Sequence, residues 1–120
     1  MKFYSPKTSV FVRSRSVKNK IVSKSTIFIF EKNSFFDIPE SKIHFGITIS
    51  KKSVKNAVNR NKCKRRIKAI IHNYLQTSDF PGITVIIIVR SKILKFSFAT
   101  LQRELINNLN LIKKHNINGR

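Results

Sequence analysis

The sequence predicts an α+β fold in which about three helices pack against a small mixed β-sheet, and three segments of the chain predict it. Residues 83–89, ITVIIIV, are apolar on both faces, which fits a central strand that is covered on both sides. Residues 97–113 and residues 63–74 instead place apolar side chains at helical spacing. Together with a strand at residues 26–31, these segments favour a single-domain α/β sandwich.

The N-terminal half of the chain supplies the other predicted elements. Residues 5–14 favour a short helix, because Ser5 is a suitable cap and Pro6 suits the first helical position. Residues 26–31, TIFIFE, and residues 43–50, IHFGITIS, are typical of strands. The connection between them is short and rich in turn formers, which favours an antiparallel pair. The predicted order is therefore helix, strand, strand, helix, strand, helix.

The start of the central helix is ambiguous in the sequence. Val54, Ala57 and Val58 fall nearly opposite the later apolar stripe on one helical wheel, so one straight helix cannot bury both sets on one partner. Either the helix begins near residue 57 after a turn, or its first turn packs on something different. The apolar stripe itself consists of Cys63, Ile67, Ile70, Ile71 and Tyr74.

The charge balance indicates a polyanionic partner. The chain has 25 Lys and Arg against 5 Asp and Glu, a formal charge of +20, and self-repulsion at that level costs stability. An AT-rich genome raises the content of Lys, Asn and Ile, but it also raises Asp and Glu, which are scarce here. Nucleic acid is therefore the expected partner, ahead of an anionic membrane.

Length and cysteine usage indicate one small intracellular domain. The 120 residues suffice for a single domain, residues 1–120, in which residues 113–120 are expected to form a frayed tail. Cys63 is the only cysteine, so no disulfide can form within the chain, which suits a reducing cytoplasm. The longest apolar run, residues 83–89, is too short to span a bilayer, and the N-terminal residues lack the apolar stretch of a signal peptide. We therefore expect a cytoplasmic protein.

Residues 55–72, KNAVNRNKCKRRIKAIIH, are rich in Lys and Arg and contain no acidic residue. A solvated helix face usually carries Glu–Lys pairs one turn apart, whereas a face of one sign can lie along phosphates and release counterions. Arg60 lies near the apolar edge of the helix, where it can stack or fork onto a phosphate. The stripe opposite the apolar face consists of Asn61, Arg65, Lys68 and His72. The lysines that flank or extend it are Lys51, Lys52, Lys55, Lys62 and Lys64.

Two aromatic residues of the first predicted strand allow two interpretations. Phe28 and Phe30 project from one side of this strand, and Ile27 and Ile29 project from the other. If the isoleucines supply the core, the aromatic rings line a partly open sheet face on which unpaired bases can stack. If the N-terminal segment covers the rings, they are ordinary core residues. The residues alone leave both interpretations open.

No catalytic or metal-binding site is predicted in the protein itself. A metal-dependent protein nuclease needs clustered carboxylates, and the 5 acidic residues here are scattered, mostly in predicted loops. The 3 histidines have no metal-ligand spacing with Cys63.

One stretch of the chain carries a longer motif. GITISKK at residues 46–52 is followed by Val54, Ala57, Arg60-Asn61-Lys62 and Lys64-Arg65. A strand that ends in a Ser/Ala-Lys-Lys type sequence and leads into a helix with Arg-Asn-Arg and further basic residues is the signature of the protein subunit of bacterial ribonuclease P. The chain resembles that family over roughly residues 9–112.

Three features depart from the family pattern. Lys62 stands where the family has Arg, which keeps the charge and loses the bidentate fork. The spacing from Lys-Lys to Arg-Asn is the longer of the family's two forms. In the N-terminal helix, only Phe11 has a counterpart among the family's aromatic positions.

The resemblance implies a protein subunit that is not itself the catalyst. In this family a large catalytic RNA, with Mg²⁺ held mainly by the RNA, removes the 5′ leader from precursor tRNA. It implies a ribosomal protein S5 domain 2-like fold with a left-handed crossover, whereas the general rule predicts a right-handed one. It implies no membrane partner and no required protein partner.

The resemblance also assigns two binding surfaces. The motif helix and the turn before it would contact the catalytic RNA, and a cleft between the sheet and the N-terminal helix would hold the leader. The implied contacts with the catalytic RNA are Lys51, Lys52, Lys55, Asn56, Arg60, Asn61, Lys62, Lys64, Arg65, Arg66 and Lys68. The implied contacts with the leader are Phe11, Phe28 and Phe30.

Other kinds of cationic protein are the competing hypotheses. A structural RNA-binding protein of the ribosomal type would use the same basic surface without an enzymatic partner. A DNA-compacting protein would bind duplex DNA and folded RNA equally. A membrane-active protein is disfavoured, because the apolar stripes are needed for the core.

Overall fold

The structure, a computed structural model, describes residues 2–4, 19–33 and 43–115, which form five strands, two α-helices and one 3-10 helix. The predicted helix at 5–14 and most of the predicted loop at 32–42 lie outside these residues. The strands are β1 (Lys2–Tyr4), β2 (Lys20–Val22), β3 (Thr26–Lys32), β4 (His44–Thr48) and β5 (Ile83–Val89). The helices are α1 (Ala57–Thr77), the 3-10 helix (Ser91–Lys95) and α2 (Phe98–His115).

The strands form one mixed sheet in the order β1-β4-β5-β3-β2. β5 lies at the centre, where it runs antiparallel to β3 and parallel to β4. The prediction that β3 and β4 pair directly is therefore wrong, because the all-apolar β5 inserts between them. The β4–α1–β5 unit is the parallel crossover to which the left-handed expectation applies, and that handedness stays a prediction.

The long elements agree with the sequence analysis, and the short ones were missed. β5 has the predicted bounds, and α1 begins at Ala57, after the turn that one of the two interpretations required. β1 and β2 were not predicted, because strands of 3 residues carry too little periodicity. α2 continues to His115, so residues 113–115 of the predicted frayed tail are helical, and residues 116–120 lie outside the described residues.

Both helices pack on one face of the sheet. The strand register places Phe28, Ile87 and Ile47 side by side on that face. The helical side of the core is supplied by Cys63, Ile67, Ile70, Ile71, Tyr74, Leu101, Leu105, Leu109 and Ile112. On the opposite face of the sheet, Ile29 and Ile86 are also buried. Within the described ranges, no helix is both long enough and apolar enough to cross a membrane.

A polar cluster fastens the β2–β3 hairpin to α2. The Glu104 carboxylate accepts hydrogen bonds from the Ser25 backbone N–H, at 3.0 Å, and from the Ser25 hydroxyl. Asn108 Nδ2 donates to Ser23 Oγ at 2.8 Å, and Arg90 Nη1 donates to the Ser23 carbonyl at 2.8 Å. Ser25 and Asn108 are buried, so water cannot replace these bonds if they are broken.

We expect Glu104→Ala to lower the free energy of unfolding by about 1–3 kcal/mol, because it leaves the buried Ser25 N–H without an acceptor. Urea denaturation followed by circular dichroism measures this change. Asp79→Ala is the matched control, since Asp79 is exposed and its loss changes the net charge by the same amount. If the two variants lose the same free energy of unfolding, the loss comes from the increased net positive charge. That result would contradict a stabilising role of the polar cluster.

Candidate nucleic-acid interface

The basic surface begins in a turn that two serines hold in place. Ser53 N–H donates to Ser50 Oγ at 3.0 Å, and the Ser50 hydroxyl donates to Ser53 Oγ at 3.0 Å. Val54, directly after the turn, is 1% exposed and anchors it in the core. Lys51 and Lys52 are consequently held on the exposed side of a defined turn. No role is predicted for these serines from the sequence, although Ser hydroxyls often hydrogen-bond the nearby backbone in turns.

Asn56 is the N-cap of α1. Its Oδ1 accepts hydrogen bonds from Val58 N–H at 2.8 Å and from Asn59 N–H at 3.4 Å, which satisfies donors that the helix leaves free. The first turn contains no acidic residue, so nothing there neutralises the positive end of the helix dipole. The structure gives the side-chain oxygen of Asn56 a capping role. The contact of Asn56 with RNA stays a prediction.

Arg60 connects the helix to the turn that precedes it. Its Nη1 donates to the Val54 carbonyl at 2.9 Å and to the Lys55 carbonyl at 2.8 Å. The side chain is half-buried, which agrees with its predicted place at the apolar edge. Because both bonds use Nη1, the other donors of the guanidinium group remain available to a phosphate. Arg60 therefore fixes the position of Lys55 relative to α1.

The outward face of α1 carries positive charge in the N-terminal half of the helix, whereas the last turn contains no basic residue. The helix contains no Asp or Glu, and the predicted outward stripe is exposed at all four of its positions. At the end of this stripe, His72 Nε2 lies 3.2 Å from Gln76 Nε2. The exposed residues are Asn61, Lys62, Arg65, Lys68 and His72, and the half-buried ones are Lys64 and Arg66. The predicted RNA contacts from residue 60 to residue 68 therefore all lie on α1, and Lys51, Lys52 and Lys55 lie just before it.

The inward face of α1 holds the charged face in its orientation. Burial raises the pKa of the Cys63 thiol above its ordinary value, although the nearby Arg66 and Lys62 charges partly oppose that rise. The Tyr74 hydroxyl donates to Asn110 Oδ1 at 2.6 Å and so ties α1 to α2. Burial also raises the pKa of the Tyr74 phenol. Both groups are therefore neutral at pH 7, as a core position requires.

The phenylalanines predicted to contact the leader are core residues. Phe28 is 0% exposed and Phe30 is 3% exposed, and both face the helices. The prediction that their rings line an open sheet face is therefore wrong, because the strand turns this side, and not the Ile27 and Ile29 side, toward α1 and α2. Phe30 also makes an edge-on ring contact with His115 at 5.4 Å. Phe11, the third predicted leader contact, lies outside the described residues.

The described part of the chain offers no ligand set for a metal ion. No group of three or more His, Cys, Asp or Glu side chains converges within residues 2–4, 19–33 and 43–115. Mg²⁺ prefers carboxylate and phosphate oxygens. The described residues of the protein therefore do not fit a protein-held Mg²⁺ site.

The fold and this surface define a small basic α+β protein of the nucleic-acid-binding class. A family model described as Ribonuclease P matches residues 6–113. The ribonuclease P protein component of Mycoplasma mycoides subsp. mycoides is 39% identical over 77 residues, which cover 64% of this chain and 70% of that protein. The one from Mesomycoplasma hyopneumoniae is 33% identical over 99 residues, which cover 82% of this chain and 81% of that protein.

Solved structures agree with these sequence matches. The Staphylococcus aureus RNase P protein superposes with a TM-score of 0.73 at 25% identity, covering 90% of this chain and 93% of that one. The Thermotoga maritima RNase P protein shares the fold, with a TM-score of 0.71 at 20% identity, covering 91% of this chain and 97% of that one. The chain belongs to the ribonuclease P protein family. Membership implies a subunit of an endoribonuclease complex that processes tRNA.

We expect Asn56→Ala to lower the free energy of unfolding by about 1 kcal/mol, because it removes the acceptor for two backbone N–H groups at the helix start. Thermal or urea unfolding measures the loss. Asn73→Ala is the matched control, since Asn73 is exposed within α1 and Ala is the better helix former there. A stability of Asn56→Ala equal to that of Asn73→Ala would show that the cap contributes nothing.

Proposed function

We propose that this chain is the protein subunit of ribonuclease P that binds the catalytic RNA through the outward face of α1 and the lysine turn before it. The observation that carries this proposal is the placement of exposed cations of one sign along a helix whose N-terminal turn is fixed by Asn56 and Arg60. Such a surface neutralises consecutive phosphates and releases their counterions. Family membership supports the choice of the ribonuclease P RNA as its partner.

The residues of this surface divide into two roles. Arg65, Lys62 and Lys68 lie on the exposed face and would contact phosphates as the charged partners. Asn61 adds a neutral donor and acceptor, which can fix the register of the RNA by a hydrogen bond where a lysine only attracts it. Arg60 and Asn56 chiefly orient the others, through the bonds that they make to the turn and the helix start.

The second part of the proposal is that the protein helps to capture precursor tRNA by its 5′ leader. Catalytic RNA and precursor tRNA are both polyanions and repel each other. A protein with a formal charge of +20 between them lowers that repulsion and reduces the concentration of Mg²⁺ that assembly needs. The buried Phe28 and Phe30 take no part in this capture. The proposed site of action is the cytoplasm.

The proposal leaves the chemistry to the RNA. When bound, Mg²⁺ supplies neutralisation of the phosphodiester charge and an activated water for hydrolysis. The described residues provide no cluster of carboxylates for it, so the ion would be held by RNA phosphates. The role of this chain is to bind the RNA, to orient it and to screen its negative charge.

We expect this protein to stimulate single-turnover cleavage of precursor tRNA by the cognate catalytic RNA at low Mg²⁺, because it replaces part of the charge screening that Mg²⁺ supplies. The measurement compares rates with and without the protein, on precursors with and without a leader. Stimulation that depends on the leader supports both parts of the proposal. If the RNA alone is active at high Mg²⁺ but the protein does not stimulate it at low Mg²⁺, the result would favour the structural RNA-binding hypothesis instead.

We expect the affinity for the catalytic RNA to fall about 10³–10⁵-fold between 50 and 200 mM salt if about 6–10 phosphates are neutralised. Arg65→Ala should weaken binding and make the salt slope shallower by about one unit, because it removes one phosphate contact. Filter binding or fluorescence anisotropy across a salt series gives both values. Lys24→Ala is the control, since Lys24 is an exposed cation on the β2–β3 turn and does not belong to α1 or to the lysine turn before it. Identical slopes for the two variants would show that net charge, and not the α1 face, determines binding.

A further inference from the structure

A cleft of about 250 Å³ lies between α1, the 3-10 helix and the start of α2. Its floor is apolar, since it consists of Cys63, Ile93 and Leu101, which are 7%, 4% and 1% exposed. An apolar cavity of about 150 Å³ is enough to admit a benzene ring. This cleft therefore has room for one planar ring against its floor.

The rim of the same cleft is polar and cationic on one side and apolar on the other. α1 contributes Asn59, Lys62 and Arg66, and the 3-10 helix contributes Leu94, which is 53% exposed. Among the residues that the structure describes, no acidic side chain lines the cleft. A concave site with an apolar floor, an exposed leucine and two cations fits a ligand that has both an apolar plane and negative charge.

A nucleotide has that combination of properties. Its base presents two apolar faces and a polar edge, and its phosphate is an anion. The face of a base can pack on Leu94 and on the apolar floor, the Asn59 amide can bond the polar edge, and the two cations can hold the adjoining phosphates. A phosphate alone would leave the floor empty, and an aliphatic chain would leave the amide and the cations unused.

We propose that this cleft binds one unpaired nucleobase of an RNA strand whose phosphates lie against Lys62 and Arg66. This inference rests on the proposed function, because it takes RNA to be the ligand of α1. It adds a contact that phosphate neutralisation does not include, since the base is held by apolar packing of its face and by a hydrogen bond to its edge. The cleft would then fix the position of the strand along the helix, which charge alone leaves free.

The first test compares two short single-stranded oligonucleotides of equal length and charge. One is an oligouridylate, and the other carries abasic sugars in its centre. The full chain should bind the oligouridylate at least about fivefold more tightly, because burial of a base against Leu94 and the apolar floor adds affinity that phosphates cannot supply. Equal affinity for the two would overturn the cleft proposal and leave RNA binding intact. Failure of both to bind at low salt would overturn the proposed function as well.

The second test locates the base. The oligouridylate should shift the NMR signal of the Ile93 δ1-methyl group, because an aromatic ring seated on the floor imposes a ring current there. The abasic strand should leave that signal in place, and the Ile112 methyl group, buried elsewhere in the core, serves as the internal control. An unshifted Ile93 signal at saturation with oligouridylate would exclude the cleft as the binding place.

The third test uses a pair of matched variants. Leu94→Ala should abolish most of the preference for oligouridylate over the abasic strand. Leu111→Ala should keep it, since Leu111 has a similar exposure of 46% but does not line this cleft. Both leucines are exposed, so neither substitution empties the core. Retention of the full preference by Leu94→Ala would overturn the proposal.

Discussion

The packing of the apolar stripe of α1 on the sheet is the interaction on which the rest of the structure depends. A fully buried Ile contributes about 1.5–3 kcal/mol, and Ile67, Ile70 and Ile71 are all 0% exposed. Two like charges 4 Å apart in water cost only about 1 kcal/mol, and salt screens them further. Burial therefore outweighs repulsion, and a helix without acidic residues stays folded. The same packing leaves Lys62, Arg65 and Lys68 on the exposed side of α1.

The short segment before α1 converts this packing into a defined surface. The Ser50–Ser53 turn, the Asn56 cap and the Arg60 bonds to two carbonyls make the lysine turn and the helix one unit. A surface that is ordered before binding loses less conformational entropy when RNA binds. Arg60 consequently has a structural effect beside any contact with phosphate. A substitution at Arg60 would change both, whereas Arg65 reports on binding alone.

The position of β5 explains why the two phenylalanines are not a binding site. β5 pairs with one edge of β3 and β2 pairs with the other, so β3 is an inner strand, and α1 and α2 cover its Phe28 side. Truncation of a fully buried Phe costs about 3–5 kcal/mol, so Phe28→Ala would report on stability and not on leader capture. The cleft beside α1 offers a different place for a base, with an apolar floor, a cationic rim and an exposed leucine.

The sequence by itself determined the fold class, the bounds of β5 and the outward stripe of α1, because these follow from the spacing of apolar and charged residues along single elements. It also determined the family, through the motif from Gly46 to Lys68. Only the tertiary structure decided which face of β3 is buried, that β5 separates β3 from β4, and that Asn59, Cys63 and Leu94 line one cleft. Those facts depend on contacts between residues far apart in the chain. β3 places Phe on one face and Ile on the other, and both are apolar. Its local sequence therefore does not indicate which face the helices will cover.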